Sequence, residues 1–207
     1  MGRVVVTNHL TLDGVLQGPG HPDEDRRGGF EHGGWQQAYA DPVMESVLGQ
    51  GMAREASLLL GRRTYEKFAA YWPHQEDNPI TTLLNERQKY VASTTLTAPL
   101  PWVNSTLLPG DAVAAVATLK HRLSHDLVVL GSGQLIQSMM RRDLVDEYLL
   151  MIHPLVLGSG RRLFTDGGAF AALRLVDTKT TTTGVVIATY QPAEPEVAST
   201  SQGGTAR

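Results

Sequence analysis

Cysteine is absent from this 207-residue chain. The sequence therefore excludes a disulfide framework, a thiolate nucleophile, and any zinc or iron–sulfur site built on cysteine ligands. Positive charge is also not in excess, because 18 Lys and Arg residues face 21 Asp and Glu residues and the net charge is -3. Such a chain offers no bulk field for a polyanion, so we do not expect nucleic acid as its main partner.

Long apolar runs are missing as well. The N-terminal run Val4–Val6 is too short for the core of a signal peptide, and no stretch approaches the roughly 18 apolar residues of a membrane helix. We expect a cytoplasmic protein with no membrane partner. Residues 1–191 are predicted to form a single domain, and residues 192–207 a disordered tail, because the tail contains a single valine and no larger apolar residue.

Strand and helix patterns alternate along the chain. Strands are predicted over residues 3–9, 57–60, 89–93, 102–107, 126–130 and 146–152. Helical patterns cover residues 42–54, 61–71, 79–88 and 111–123, and another begins after Gly133. A closing strand over Lys179–Tyr190 is predicted to pair with Leu173–Asp177 as a hairpin. This order predicts an α/β fold with a mostly parallel sheet and an antiparallel edge.

The segment from Thr11 to Ala40 shows no helix or strand period. It is rich in glycine, contains two prolines and carries a charged cluster over residues 23–27. A loop of this length inside a compact domain is usually functional or mobile. We interpret it as a lid or binding loop.

Two glycine-containing turns each connect a strand to a helix, and such turns suit phosphate groups because the backbone can approach closely and the helix start presents free N–H groups. In Gly61-Arg62-Arg63-Thr64, two guanidinium groups are suited to the 2′-phosphate of NADP. The other turn is Gly131-Ser132-Gly133. The alternatives are a solvated basic first turn at the former and an ordinary tight turn at the latter.

Three segments together resemble the dihydrofolate reductases. Residues 61–66, 91–94 and 129–133 occur in the order and approximate spacing of that family. Leu12-Asp13-Gly14 and residues 155–164 make the chain more similar to the reductase domain of the bifunctional riboflavin-biosynthesis deaminase-reductase and to its free-standing bacterial relatives. The resemblance covers about residues 3–190. It implies a three-layer dihydrofolate-reductase-like fold with a mostly parallel central sheet and an antiparallel C-terminal hairpin at its edge.

The resemblance also implies NADPH as the cofactor and a lid that closes over the nicotinamide. Two groups of residues would hold it. The adenosine phosphate side would face Gly61, Arg62, Arg63, Thr64, Ser93 and Thr94, and the pyrophosphate would lie against Gly131, Ser132, Gly133 and Gln134. Relatives in the riboflavin branch are commonly dimers, so a homodimer is expected, with the strand near residues 146–152 supporting a shared sheet or interface.

Candidates for the proton supply are three carboxylates. By resemblance, Asp13 would line the junction of cofactor and substrate, together with Gly14. Asp41 and Glu45 lie on the helix after the loop and can orient a pyrimidine-like ring or supply a proton through water. The alternative makes Asp41 a helix N-cap and Glu45 an exposed helix residue.

Substrate contacts are predicted at further positions. Trp35 can wall an aromatic ligand or anchor the packing of the loop. The adjacent Arg161 and Arg162 suit a phosphorylated substrate, or belong to a turn that the fold requires. His121 and His125 have a spacing found in metal sites but lack a third ligand, so no metal is expected.

These observations favour an NADPH-dependent reductase that transfers a hydride to a small heterocycle of pyrimidine or pteridine type. The first alternative is a non-catalytic NADP(H)-binding module that has kept the cofactor turns. The second is a true dihydrofolate reductase, which ranks lower because we find no clear equivalent of the acidic folate-binding residue in a well-matched helix.

Overall fold

The computed structural model describes residues 1–193. Its strands are β1 (Val4–Thr11), β2 (Ala56–Gly61), β3 (Lys89–Ala92), β4 (Ser105–Leu107), β5 (Asp126–Leu130), β6 (Glu147–His153), β7 (Leu173–Thr180) and β8 (Val186–Pro192). Its helices are α1 (Pro42–Ala53), α2 (Arg62–Tyr71), α3 (Pro79–Glu86), α4 (Ala112–Arg122) and α5 (Gly133–Met140). Short 3-10 turns cover Gln37–Tyr39 and Trp72–His74.

The strands form one sheet in the order β4-β3-β2-β5-β1-β6-β8-β7. The first six strands of this order are parallel, and β8 and β7 complete the sheet in antiparallel pairing. This arrangement confirms the predicted α/β fold with an antiparallel edge. Because the six parallel strands point the same way, the loops after β1, β2, β3, β5 and β6 meet at one edge of the sheet, where α/β proteins place their ligands.

Helices cover both faces of the sheet, which gives three layers. On one face, α4 and α5 pack on the central strands through buried side chains such as Val116 and Ile136. On the other face, α2 and α3 cover β2 and β3, and α1 covers β6 and β8. Alternate residues of each strand point to opposite faces, so β2, β3, β5 and β6 each contribute to two hydrophobic clusters. This explains why the strand sequences read as continuous apolar runs.

Three helices begin at a capping side chain that can be recognised in the sequence. Asp41, Asn78 and Asp111 each accept hydrogen bonds from backbone N–H groups of the first helical turn, at α1, α3 and α4 respectively. Proline at the first position of α1 and α3 is preorganised for the helix and has no N–H to satisfy. The predicted cap role of Asp41 is therefore present in the structure.

The prediction for the C-terminal hairpin was wrong in its boundaries. Residues 181–185 form the turn between β7 and β8, so the predicted strand over Lys179–Tyr190 joins the end of one strand to most of the next. In this turn the Val185 N–H donates to Thr181 Oγ1 (2.9 Å), and Gly184 has a φ of +84°. Threonine and valine favour strands, so the sequence of residues 179–190 predicts one continuous strand. Side-chain hydrogen bonds instead stabilise a turn within it.

The interpretation of residues 146–152 as part of a sheet shared between two subunits is also corrected. These residues fall in β6, which pairs with β1 on one side and β8 on the other, so this strand has no free edge. At the C-terminus, Pro192 ends β8 and the Ala193 N–H donates to Ala172 O (2.8 Å). The remainder of the predicted tail lies outside the described residues. Within residues 1–193, none of the helices is long and apolar enough to cross a bilayer.

Candidate active site

The centre of one face of the sheet is only partly covered, and we call this strip the cleft. Strand β1 lies between β5 and β6, so its side chains should be buried on both faces unless a helix is missing above it. On the face under α4 and α5, Val4, Val6 and Asn8 are buried; on the opposite face, Thr7 and His9 remain partly exposed. The neighbours of Thr7 in register, on β5 and β6, are partly exposed as well.

The walls of this cleft are α1 and α2. Helix α1 packs its Met44 among side chains of β6 and β8, and α2 packs its Tyr65 against β2. The strip of β5 and β1 between these two helices is left open. The cleft therefore runs towards the carboxyl edge of the sheet, where the loops after β1, β2 and β5 meet.

The two predicted phosphate-binding turns meet at this edge. The Gly61 N–H donates to Ser132 Oγ (2.9 Å), and the Ser132 N–H donates to Thr64 Oγ1 (3.1 Å). From β1, Asn8 Nδ2 donates to Gly131 O (3.2 Å). These bonds join residues 68 to 123 positions apart in sequence, and they hold the starts of α2 and α5 side by side.

The starts of α2 and α5 differ from those of the three capped helices. Gly61 has no side chain to cap α2, and the Ser132 hydroxyl donates to Leu130 O (2.9 Å) rather than capping α5. The first N–H groups of both helices, which have no partner within the helix, face the same edge of the sheet. Together with the helix dipoles they form a region suited to an anion.

Close contacts with neighbouring side chains require glycine in the Gly131-Ser132-Gly133 turn. A Cβ on Gly131 would lie 3.1 Å from Thr64 Oγ1, and the residue has a φ of +55°. Ser132 follows in the same left-handed region with a φ of +51°. A Cβ on Gly133 would lie 3.0 Å from Leu16 Cδ2, because the segment over residues 11–40, called the lid here, packs against the start of α5 at this point.

The two arginines of the first turn line a cavity of about 480 Å³ between α2 and the lid. Arg62 pairs loosely with Glu66 (3.6 Å), and Arg63 is exposed and has no ion-pair partner within residues 1–193. The cavity contains five cationic and three anionic side chains. They are Arg26, Arg27, Arg62, Arg63 and Lys67, and Glu24, Asp25 and Glu66.

The remaining predicted cofactor residues lie at the same edge with simpler contacts. The Ser93 hydroxyl accepts from the N–H groups of Thr95 (3.1 Å) and Leu96 (3.0 Å), so it shapes the loop after β3. Thr94 in this loop and Gln134 in the first turn of α5 are exposed. Nothing in their contacts prevents either side chain from meeting a ligand.

Asp13 fastens the turn after β1 to the loop after β6. Its carboxylate accepts hydrogen bonds from Thr11 Oγ1 (2.5 Å), Gly158 N (2.9 Å) and Arg162 Nη2 (3.2 Å). Burial opposes its ionisation, but these bonds and one from Leu157 N lower the pKa of Asp13 to about 2. Its carboxylate is therefore ionised at neutral pH and holds no proton to donate.

Asp41 and Glu45 occupy different environments on α1. The Asp41 side chain is buried and accepts from Val43 N (2.8 Å), Thr182 N (2.8 Å) and Thr182 Oγ1 (2.5 Å). The bond from the Thr182 hydroxyl is the main cause of its lowered pKa. Glu45 is exposed on the helix. Asp41 thus joins α1 to the turn between β7 and β8.

Of the predicted substrate contacts, Trp35 is used in packing, Gly14 forms a turn and the two arginines are exposed. Trp35 is buried, donates its Nε1–H to Gln17 O (2.8 Å) and packs with Val15 and Phe30 in a small cluster of the lid. Gly14 occupies the tight turn after β1 with a φ of +78°. Arg161 and Arg162 are exposed.

The amino-acid sequence shows which family the chain belongs to. Residues 3–187 match the family described as the RibD C-terminal domain. The chain belongs to this family. Uncharacterized protein YyaP of Bacillus subtilis (strain 168) is 28% identical over 195 residues, which are 91% of this chain and 94% of that protein. Uncharacterized protein YwjB of the same organism is 27% identical over 125 residues, or 59% of this chain and 66% of that protein.

Solved structures show the same fold at lower identity. A protein from Shewanella sp. PV-4 that is provisionally assigned to riboflavin biosynthesis has a TM-score of 0.67 at 20% identity, over 93% of this chain and 99% of that one. A pyrimidine reductase-like protein from Corynebacterium diphtheriae has a TM-score of 0.62 at 13% identity, over 93% and 92%. The dihydrofolate reductase of Enterococcus faecalis, solved with NADP(H) and RAB-propyl, has a TM-score of 0.60 at 13% identity, over 93% and 98%. The predicted dihydrofolate-reductase-like fold is confirmed.

One buried residue of the lid of this RibD C-terminal domain, missed by the sequence analysis, bonds to three backbone groups. Gln17 is 3% exposed, and its Nε2 donates to Asp25 O (3.0 Å) and Arg27 O (2.9 Å). Its Oε1 accepts from Arg161 N (2.9 Å). A polar residue in a glycine-rich loop carries no sequence signal that it will be buried.

Two histidines on the cleft face were missed as well. His9 Nδ1 lies 3.0 Å from His153 Nε2, across the β1–β6 pair. The rings of Trp35 and Tyr39 stand edge-on to His153, each with its centroid 5.1 Å away. A signal was present in the sequence, because both histidines lie near the carboxyl end of a predicted parallel strand, where α/β folds place their ligands.

Proposed function

We propose that this RibD C-terminal domain protein is an NADPH-dependent reductase whose substrate is a small heterocycle of pyrimidine or pteridine type. The observation that carries the proposal is the joining of two uncapped helix starts, α2 and α5, by the Thr64–Ser132–Gly61 hydrogen bonds. When bound, NADPH would supply a hydride to the carbon of a C=N or C=O group. The chain's own residues would bind and orient the two molecules and exclude water.

The residues at the carboxyl edge fit a dinucleotide with an additional phosphate. The N–H groups at the start of α5, beside Gly131 and Ser132, suit the pyrophosphate. Arg62 and Arg63 line the neighbouring cavity and suit a 2′-phosphate, because guanidinium groups form paired, charge-assisted hydrogen bonds with phosphate oxygens. Two acidic side chains in the same cavity, Asp25 and Glu66, hold part of its positive charge in ion pairs, so the exposed Arg63 is the better placed of the two for a new anion.

The lid and the cleft support the same function. The lid contacts the start of α5 through Leu16 and contributes Arg26 and Arg27 to the cavity, so it spans the proposed cofactor site from one end to the other. The open floor at Thr7 and His9 lies between α1 and α2. A planar ring on this floor would lie next to the loops that hold the cofactor.

The test is a calorimetric titration of the full chain with NADPH and NADH. We expect NADPH to bind more tightly than NADH. Arg63→Ala should weaken NADPH by about 1.5–3 kcal/mol, the range for losing a charge-assisted hydrogen bond, and should leave NADH nearly unchanged because NADH has no 2′-phosphate. Arg62→Ala should act in the same direction, and by less if Glu66 already holds part of its charge.

Arg122→Ala is the matched control. Arg122 ends α4 at the opposite edge of the sheet, and it is exposed like Arg63. Its removal changes the net charge by the same amount, so any general charge effect on a polyanionic ligand will appear in this variant as well. Equal losses for NADPH and NADH in Arg63→Ala, or equal losses in the two arginine variants, would refute the assignment of the 2′-phosphate.

A second candidate function is favoured by the state of the predicted acids. Asp13 is ionised and bonded to the loop after β6, Asp41 is buried in a cap, and Glu45 is exposed on α1. None of these contacts presents a protonated carboxyl group to the cleft. A non-catalytic NADP(H)-binding module would have the same contacts. Such a module would shift NADPH fluorescence without oxidising the cofactor in the presence of pterins, aminopyrimidines or flavin precursors, whereas the reductase would oxidise it with at least one of them.

A further inference from the structure

The facing histidines of β1 and β6 act as one unit. His9 Nδ1 and His153 Nε2 are 3.0 Å apart, which is a hydrogen-bond distance, and such a bond needs one donor and one acceptor. One hydrogen therefore lies between the two nitrogens. In neutral rings, its position fixes the tautomer of both histidines, because each ring carries a single N–H.

The environment of His153 decides where this hydrogen lies. The residue is fully buried, and its other nitrogen, Nδ1, has no hydrogen-bond partner within the described chain. A buried N–H without a partner is less tolerated than a buried lone pair. The hydrogen of His153 therefore belongs on Nε2, where it donates to His9 Nδ1. His9 must then carry its own hydrogen on Nε2.

No hydrogen bond within residues 1–193 occupies His9 Nε2, so this is the nitrogen at which we expect a ligand to meet His9. The His9 side chain is partly exposed on the cleft floor beside Thr7, and its Nδ1 edge is turned to His153. Burial lowers the pKa of His9 to about 3, with a smaller contribution from repulsion by His153, and burial lowers the pKa of His153 to about 4. Both rings are thus neutral at pH 7, and the tautomer assignment applies there.

We propose that His9 Nε2–H is a substrate-binding donor on the cleft floor, held in this tautomer by His153, and that it binds a heterocycle through a carbonyl oxygen or a ring nitrogen. The inference rests on the proposed function, in which the cleft receives a reducible heterocycle. His9 contacts the ligand, and His153 is a positioning residue. The histidines contribute a hydrogen bond, and no proton is transferred from the pair.

The tautomer is tested on the full chain labelled with ¹⁵N-histidine. Long-range proton–nitrogen correlation spectra at pH 7 should show the Nε2–H tautomer for both His9 and His153. In His153→Phe, which keeps a ring in the buried site, His9 should lose this fixed tautomer and show averaged nitrogen shifts. A wild-type His9 that carries its hydrogen on Nδ1 would overturn the proposal, and so would a His9 tautomer that His153→Phe leaves unchanged.

Ligand binding is tested with uracil, whose two carbonyl groups are acceptors of the proposed kind. Uracil should shift the His9 Nε2 resonance, and His9→Phe should weaken uracil binding roughly five- to tenfold, as expected for one hydrogen bond. His9→Gln keeps an N–H donor and should retain most of the affinity. His32→Phe removes an exposed histidine of the lid and should change nothing.

The outcomes separate this proposal from the proposed function. No shift of His9 Nε2 with uracil at millimolar concentrations, or equal uracil binding by wild type and His9→Phe, would overturn the role of His9 even if NADPH binds. A uracil-induced shift in a chain that binds neither NADPH nor NADH would support His9 as a ligand donor and would refute the reductase. Neither the tautomer spectra nor the uracil titration requires enzymatic activity.

Discussion

Replacing Gln17 with leucine should open the lid while the rest of the domain stays folded. The buried Gln17 side chain donates to two lid carbonyls and accepts from the Arg161 N–H. Leucine has a similar volume and keeps the packing, but it removes all three bonds. At about 0.5–1.5 kcal/mol each, the free energy of lid opening should fall by about 1.5–4.5 kcal/mol.

Trypsin provides the assay, because the lid contains its own cleavage sites at Arg26 and Arg27. When opening and closing are fast, the rate of native-state proteolysis follows the population of the open form. The expected fall in free energy corresponds to cleavage roughly 10- to 2000-fold faster, with the site identified by the mass of the fragments. Global unfolding, followed in urea by circular dichroism, should change less than lid opening, since the main hydrophobic clusters lie elsewhere.

Gln37→Leu is the matched control in the same loop. Gln37 is exposed and makes a single side-chain bond, from its Nε2 to Gly20 O (2.8 Å). This substitution should accelerate cleavage by less than about tenfold, the limit for one hydrogen bond. The reasoning fails if Gln17→Leu is cleaved as slowly as wild type, or if the two variants are cleaved at the same rate.

Four further outcomes are expected. Lys89→Met should lower the free energy of unfolding in urea by about 2–4 kcal/mol, because the buried Lys89 ammonium donates to three carbonyls at the end of α3; an unchanged midpoint would contradict this. Gly131→Ala and Gly110→Ala should each lower the free energy of unfolding by about 1–2 kcal/mol, since both glycines have a left-handed φ. Only Gly131→Ala displaces Thr64 and should weaken NADPH binding in calorimetry, and an equal loss of NADPH affinity in the two variants would refute the close-contact argument. The pKa values of His9 and His153 are lowered to about 3 and 4 in the folded chain, so the contribution of this pair to stability is present above about pH 6.5 and should be lost as the pH falls towards 4. Urea midpoints measured over this pH range should fall more steeply in wild type than in His9→Phe. Sedimentation velocity should show a homodimer whose interface uses β7, the edge strand with exposed apolar side chains, and a monomer at all concentrations would exclude it.

Much of the fold could be predicted because its signals are local. Apolar runs of three to five residues mark the buried parallel strands, and Asp41, Asn78 and Asp111 mark the starts of three helices. These features depend on neighbours in sequence, so a single chain displays them. The hairpin boundary was missed for the same reason, since its turn is stabilised by threonine hydroxyls in a run that otherwise favours a strand.

The candidate site was predicted in part. The sequence determined which turns contain glycine next to arginine or serine, and therefore where a phosphate can approach the backbone. Tertiary structure alone decided that Thr64 and Ser132, 68 positions apart, meet and align the two helix starts. It also decided that Asp13 and Asp41 use their carboxylates in the fold, because their partners come from loops more than 140 positions away.

The histidine pair shows this limit most clearly. His9 and His153 are 144 positions apart, and each stands in an apolar strand where a satisfied core histidine is the ordinary expectation. Their pairing follows from β6 lying beside β1, which depends on β5 returning to the centre of the sheet. Local sequence sets the conformation of each strand, whereas strand order and register decide which side chains share a cleft.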